Sequence, residues 1–462
     1  KYFGGINLKK YEKYKSVDLI WLNEVPEHWE LLPIISVLSE RKEKNYKNNS
    51  MRILSVLKDV GVMPYEQKGN IGNKFSEDIS KYNLVLKDDI VINSMNIIIG
   101  SVGKSKYNGI LSQVYYVLKN RNIKKTNIDY LEKVFKHKIF QEHFKIYGRG
   151  ILEHRLKIPM EKLKRVRIPI PPFEEQKQIA NYLDWKINDI DKEIDNHLDK
   201  IKKMKEYKDS YVKKLVNYGV GKANKLKKIE NNVFEFIPQN WQNRYIFQVS
   251  TENKVKNNNM KNRNLLSLSY GKIIEKNIDK TDGLLPESFE TYQIIKTGMI
   301  VLRLTDLQND HKSLRVGICK STGIITSAYV VLKVTEEILP EYMYYLLHSF
   351  DISKGLYGMG RGVRQSLNYK DFSTILIPLP SLKEQRLIVD ACEKIDLNIK
   401  KMIDSISKKI ELLKELKNSI ISEVVTGKID VRDVIIPKYK KLNVNEVIKE
   451  NSFEKGIESD DE

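Results

Sequence analysis

The stretch IPIPPFEEQKQI at residues 168–179 returns as IPLPSLKEQRLI at residues 377–388. Both copies pass from an apolar–proline run into a helix. Proline suits a first helical turn, which has no use for the missing N–H, so Pro171 and Pro172 open one helix and Pro378 and Pro380 the other. In the first, the apolar residues are Ile179, Leu183, Ile187, Ile190, Ile194, Leu198, Ile201 and Met204. In the second they are Ile388, Cys392, Ile395, Ile399, Met402 or Ile403, Ile406, Ile410, Leu413 and Leu416. Steps of three and four residues trace one narrow seam, as in a coiled coil. Gly219 and Gly427 close the helices. At 1.5 Å per residue each spans roughly 65–70 Å. So narrow a seam on so long a helix needs a second helix to cover it. The nearest is the duplicate, in an antiparallel pair with one globule at each end. The alternative is two separate hairpins, each folded back on its own globule.

Outward from the helices the duplication continues. VPEHWE at 25–30 returns as IPQNWQ at 237–242, and ILSVL at 53–57 as LLSLS at 265–269. GILSQVYYVLK at 109–119 returns as GIITSAYVVLK at 323–333, and GRG at 148–150 inside YGMGRG at 357–362. The blocks keep their order at offsets of 209 to 214 residues. That period far exceeds the roughly 20–50 residues of a solenoid repeat. DIVINSM at 89–95 and GMIVLRL at 298–304 are short, rich in β-branched residues and bounded by turn signals, so the part before each helix reads as strands.

The predicted class is α+β: a tandem-duplicated unit, two β-rich globules separated by two long antiparallel coiled-coil helices, with pseudo-twofold symmetry. The predicted segments are a first globule (1–170), a central helix (171–222), a second globule (223–380), a second helix (381–427) and a C-terminal segment (428–462). Its end, NSFEKGIESDDE at 451–462, is acidic and poor in apolar residues, and is expected to be disordered.

The chain has 462 residues, with Lys and Arg numbering 80 against 60 Asp and Glu, a net charge of +20. That excess points to nucleic acid or another polyanion. Two cysteines, Cys319 and Cys392, cannot build a disulfide scaffold or a four-ligand zinc site. With no long apolar run and no signal core, the reading is cytoplasmic, with no membrane partner.

Several stretches resemble catalytic motifs and fail on chemistry. GSVGKS at 100–105 lacks the upstream glycine of a phosphate loop, where Ile98 stands. IPPF at 170–173 has no amide at its first position to hold a target amino group, and GMGRG at 358–362 has no strand–turn–helix around it. The seven histidines show no metal spacing. A duplicated, basic chain without such a site is expected to be a reader that is not itself an enzyme, needing no cofactor or metal and offering no catalytic residue.

VPEHWE, DIVINSMN, SKYNGILSQVYYVLK, IVLRLTDLQNDHKSLRVG, IPIPPFEEQKQIANYLD, IPLPSLKEQRLIV and ISEVVTGKIDVR together resemble the specificity subunit of type I restriction–modification systems. The resemblance runs from about Tyr11 to Tyr439. It departs at the first helix exit, where LVNYGVGK stands in place of VVTGKID. It implies two target-recognition domains, each reading half of a split double-stranded DNA sequence, and helices that dock two modification subunits. Those subunits would carry S-adenosylmethionine and methylate adenine; restriction subunits would bring ATP and Mg. A coiled-coil adaptor, or the recognition part of a fused enzyme, is the alternative.

Reading base edges calls for Arg on guanine and Asn or Gln on adenine. In the first globule the candidates beside the strands are Ser94, Asn96, Arg149, His154 and Arg155. In the second they are Arg303, Gln308, Asn309, Arg361, Arg364 and Gln365. Each could instead hold phosphate, a contact at least as common. Gly148, Gly150, Gly360 and Gly362 would let the backbone approach DNA or would close a turn.

Overall fold

The computed structural model describes residues 2–3, 6–7, 9–46, 51–58, 60–68, 75–76, 78–149, 156–221, 225–277, 288–307, 314–357, 359 and 366–442. The chain forms two compact units, Lys1–Leu198 with Ser407–Glu462, and Asp199–Ile406. The division between the units falls inside both long helices. Each holds one globule, the first half of its own helix and the last half of the other.

In the first unit a four-stranded antiparallel sheet runs in the order Val102–Lys104, Ile90–Asn93, Tyr115–Asn120, Leu38–Glu40. In the second the order is Val316–Ile318, Ile300–Leu302, Val330–Val334, Ser250–Glu252. The registers match pair by pair. Ile90 faces Leu118 and Lys104, as Ile300 faces Leu332 and Ile318. Leu118 faces Glu40, as Leu332 faces Glu252. A one-residue slip would turn every inward side chain outward, so matched register means that the duplicates bury equivalent residues. Ile90, Val91 and Ile92, and Ile300, Val301 and Leu302, are fully buried.

The long helices span Phe173–Tyr218 and Leu382–Val425. Pro378 corrects the expected start. It lies in the strand Leu376–Leu379, which pairs with Gln242–Tyr245 in a two-stranded sheet, where a missing N–H can face away from the single neighbour. Pro169 sits likewise in Arg167–Ile170, paired with Glu30–Pro33. The helices end at Gly219 and Gly427, both in the left-handed region with φ of 80° and 75°. Where the sequence left Met402 or Ile403, the seam takes Ile403; Met402 is exposed.

The helices run antiparallel within each unit. In the first, Trp29 meets both the start of one helix, through Glu175, and the end of the other, at Gly427, while further along Lys417 pairs with Asp191 at 2.6 Å. In the second, Gly219 lies against Trp241 and Glu384, and Lys208 pairs with Asp396 at 3.3 Å.

One joint between helix and globule is built twice. Gln176 is fully buried; its Oε1 accepts from Asn127 N at 2.8 Å and its Nε2 donates to Pro171 O and Lys125 O. Gln385, equally buried, accepts from Leu339 N at 2.7 Å and donates to Pro380 O and Glu337 O. Asn127 and Leu339 each precede a globule helix, Ile128–Lys136 and Pro340–Ile352. Tyr130 and Tyr342 then donate to the carbonyls of Pro169 and Pro378. The glutamine of the repeated EQ pair thus stitches the long helix to its globule.

Candidate nucleic-acid interface

In the first unit, the loop after the strand Ile90–Asn93, the turn before Tyr115–Asn120 and the segment at 156–158 line a cleft of about 370 Å³. Its walls are Lys44, Ser94, Met95, Gln113, Val114, Tyr116 and Lys157. Among the described residues no carboxylate lines it. Lys44 Nζ donates to Asn83 Oδ1, a neutral partner at 2.5 Å, so its charge is not cancelled by that contact. Lys157 and Gln113 are both exposed. Tyr116, its hydroxyl pKa raised by burial, donates to Ile158 O at 2.9 Å. Two cations, an amide and two exposed apolar side chains, Met95 and Val114, form a surface suited to a polyanion with readable edges.

The expected residues distribute unevenly around this cleft. Ser94 corrects the expectation that it faces DNA. It is 1% exposed and its hydroxyl donates to Val114 O at 2.8 Å, so it fixes the turn. Its carbonyl accepts from Ile158 N, and Arg149 exchanges two backbone hydrogen bonds with Lys157. The structure therefore joins the Ser94–Asn96 loop to the Arg149 segment. Arg149 is exposed and Asn96 half-buried, without a side-chain partner among the described residues. His154 and Arg155 lie outside the described residues. Gly148 serves packing, since a Cβ there would come within 2.6 Å of Leu156 Cβ.

The second unit makes the equivalent join, Leu367 N donating to Leu304 O. Arg303 is half-buried, and its carbonyl accepts from Arg315 Nη1 at 3.2 Å. Gln308, Asn309, Arg361, Arg364 and Gln365 lie outside the described residues. Arg315 was not among the sequence candidates. It is fully buried and donates to Thr305 O at 2.7 Å and Asp306 O at 3.0 Å, so it shapes the loop without reaching a ligand. Gln113, Lys44 and Lys157 were also missed. The signal for Gln113 was available: QV in the first copy of GILSQVYYVLK is SA in the second, inside a framework that repeats.

The family model described as "Type I restriction modification DNA specificity domain" matches residues 26–200 and 322–420. A relative from Methanocaldococcus jannaschii (strain ATCC 43067 / DSM 2661 / JAL-1 / JCM 10045 / NBRC 100440), "Type I restriction enzyme MjaVIII specificity subunit", is 26% identical over 437 residues, 89% of this chain and 95% of the relative. One solved structure, described as "Structural basis underlying complex assembly and conformational transition of the type I R-M system", contains a chain similar in fold. Its TM-score is 0.61 at 12% identity, covering 87% of this chain and 99% of that one. At that identity the likeness speaks for the fold alone. Among the described residues no helix is long and apolar enough to cross a membrane.

Proposed function

Since the chain belongs to the type I restriction modification DNA specificity family, whose members direct target recognition, we propose that each of its two units reads one half of a bipartite double-stranded DNA sequence. The observation that carries this reading is the pair of register-matched sheets with different loops at equivalent positions. One framework used twice with two sets of loops is what two dissimilar half-sites require. In this reading the chain is the non-catalytic member of a complex. Two modification subunits bind S-adenosylmethionine and methylate adenine, and restriction subunits use ATP and Mg. The complex works in the cytoplasm, and the long helices dock the modification subunits and set the spacer between half-sites.

Genome-wide mapping of methylated adenine, with and without the chain and in the presence of a modification subunit, tests this. The expected outcome is one bipartite motif that vanishes without the chain, while the chain alone neither methylates nor cuts. Exchanging residues 1–170 for those of a relative should change one half of the motif. A change in both halves overturns the assignment.

A further inference from the structure

The turn at residues 112–115 in the first unit has a counterpart at 326–329 in the second. Tyr115 N donates to Ser112 O, and Tyr329 N to Thr326 O. The strands on either side hold equivalent partners. Ile110 faces Leu84 as Ile324 faces Ile294, and Val117 faces Val91 as Val331 faces Val301. A buried amide lies under each turn. Asn83 Nδ2 donates to Tyr115 O at 2.8 Å, and Gln293 Nε2 to Tyr329 O at 2.7 Å. In the first unit the buried Ser94 hydroxyl adds a bond to Val114 O.

Only the two side chains at the tip differ in kind. The first unit presents Gln113, exposed and without a hydrogen-bond partner among the described residues, and Val114, 44% exposed. The second presents Ser327, whose hydroxyl donates to Thr291 O, and Ala328. Buried polar groups thus hold the turn rigid while its tip carries a long amide and a branched apolar group. A side chain on a locked backbone meets a fixed position on a duplex at little cost in entropy. Lys44 and Lys157 stand in the same cleft and suit the flanking phosphates.

We propose that this turn is a base-reading tip of the first unit, specific for an A·T pair. Gln113 takes the N6 and N7 edge of adenine, and Val114 packs on the 5-methyl group of thymine. The second unit keeps the turn as scaffold, and its short tip places no long reader there. The inference rests on the reading of the chain as a DNA specificity subunit and adds which residues, and which base pair, carry part of the first half-site.

The test uses the full chain with its modification subunit and sequences the methylated sites. Gln113→Ala, and the double change Q113S with V114A that installs the second unit's tip, should relax one A·T position in one half-site. Preference there should fall on the order of 10-fold to 100-fold, with the other half-site unchanged. Gln113→Glu should move the preference at that position toward C·G, since a carboxylate accepts from cytosine N4. Circular dichroism of each variant, matching the parent, separates reading from misfolding. An unchanged motif overturns the proposal, as does a uniform loss of affinity over all sequences with a shallower salt dependence, the mark of a phosphate contact. Either result leaves the bipartite motif of the parent complex standing. Absence of that motif in the parent would instead refute the functional reading itself.

Discussion

In the first unit the strands Ile90–Asn93 and Val102–Lys104 are separated by eight residues; in the second, Ile300–Leu302 and Val316–Ile318 are separated by thirteen. Both hang on the same ladder bond, Asn93 N to Ser101 O in one and Arg303 N to Arg315 O in the other. The short loop is held by its own backbone, with Ser101 N donating to Asn96 O. The long loop has Arg315, whose guanidinium reaches Arg303 O, Thr305 O and Asp306 O. Asp306 has a φ of 59°, a strained value for a residue with a side chain. The framework is what duplication preserved, and the rim is what diverged. The longer connection has a strut at its described end, where the second unit places a buried arginine, Arg315, at the position of Ser101 in the first.

Removing that strut gives the largest expected asymmetry. Arg315→Ala leaves three loop carbonyls without their donor, at about 1–3 kcal/mol for each one that water cannot reach. We expect a loss of about 4 kcal/mol in the second unit, with amide exchange in the first unit unaltered. In the assembled complex one half of the methylated motif should blur. Equal loss of protection in both units would show that the strut is not local.

The glutamine joints should behave in the opposite way, as true equivalents. Gln176→Ala and Gln385→Ala each delete one acceptor and two donations inside a buried site. Each should cost about 3 kcal/mol, within about 0.5 kcal/mol of the other, as read from urea midpoints. A clear inequality would mean that the two joints are alike in geometry only.

The helices and the duplication were readable because both leave a period in the sequence: steps of three and four for Ile179 to Ile201, and offsets of 209 to 214 for the repeated blocks. The role of Gln176 and Gln385 was not. Periodicity locates faces, but a buried amide bonded to backbone 46 to 51 residues away leaves no local pattern. Ser94 misleads for a related reason. A serine beside a strand is polar by composition, and only the third dimension shows its hydroxyl turned onto Val114. Pro378 reads as a helix start because proline suits both a first turn and an edge strand.

The helix ends offer a graded comparison. A Cβ on Gly427 would lie 2.6 Å from Pro26 Cγ and 3.2 Å from Trp29, both in rigid rings. On Gly219 it would lie 3.3 Å from the Trp241 ring, much as on Gly427 it meets Trp29, but its nearest neighbour would be Glu384 Oε1 at 2.9 Å, the end of a side chain that can swing away, in place of Pro26. Both substitutions meet a left-handed backbone, worth about 1 kcal/mol. Gly427→Ala should therefore cost about 3 kcal/mol and Gly219→Ala about 1 kcal/mol in thermal or urea unfolding. Equal costs would indicate that Pro26 gives way as easily as Glu384.

The last comparison concerns acid, which has its smallest effect at neutral pH, and it again sets one unit against the other. Each has a buried histidine with its pKa pushed down to about 4. For His137 burial is the main cause and Lys428 adds to it; for His348 burial again leads and Lys208 adds, with Asp396 opposing. An unfolded histidine titrates near 6.5, so between about 6.5 and 4 the unfolded chain binds more protons than the folded one. Stability from these groups is complete above about 6.5 and declines as the pH falls through the window. By pH 5 each accounts for a loss of up to about 2 kcal/mol. His348→Phe should flatten the pH dependence of the second unit and cost little at pH 7, because Nδ1 has no partner among the described residues and the ring stacks on Tyr344. His137→Phe should flatten that of the first unit but cost about 1 kcal/mol at pH 7, the bond between Nε2 and Ser422 Oγ being lost. Urea midpoints at pH 7 and pH 5 for the parent and both variants decide this. If neither variant reduces the acid sensitivity, the loss comes from carboxylates such as Asp184, whose burial raises its pKa but which Lys133 and Lys441 together hold below the usual range, and the histidines are ordinary core residues.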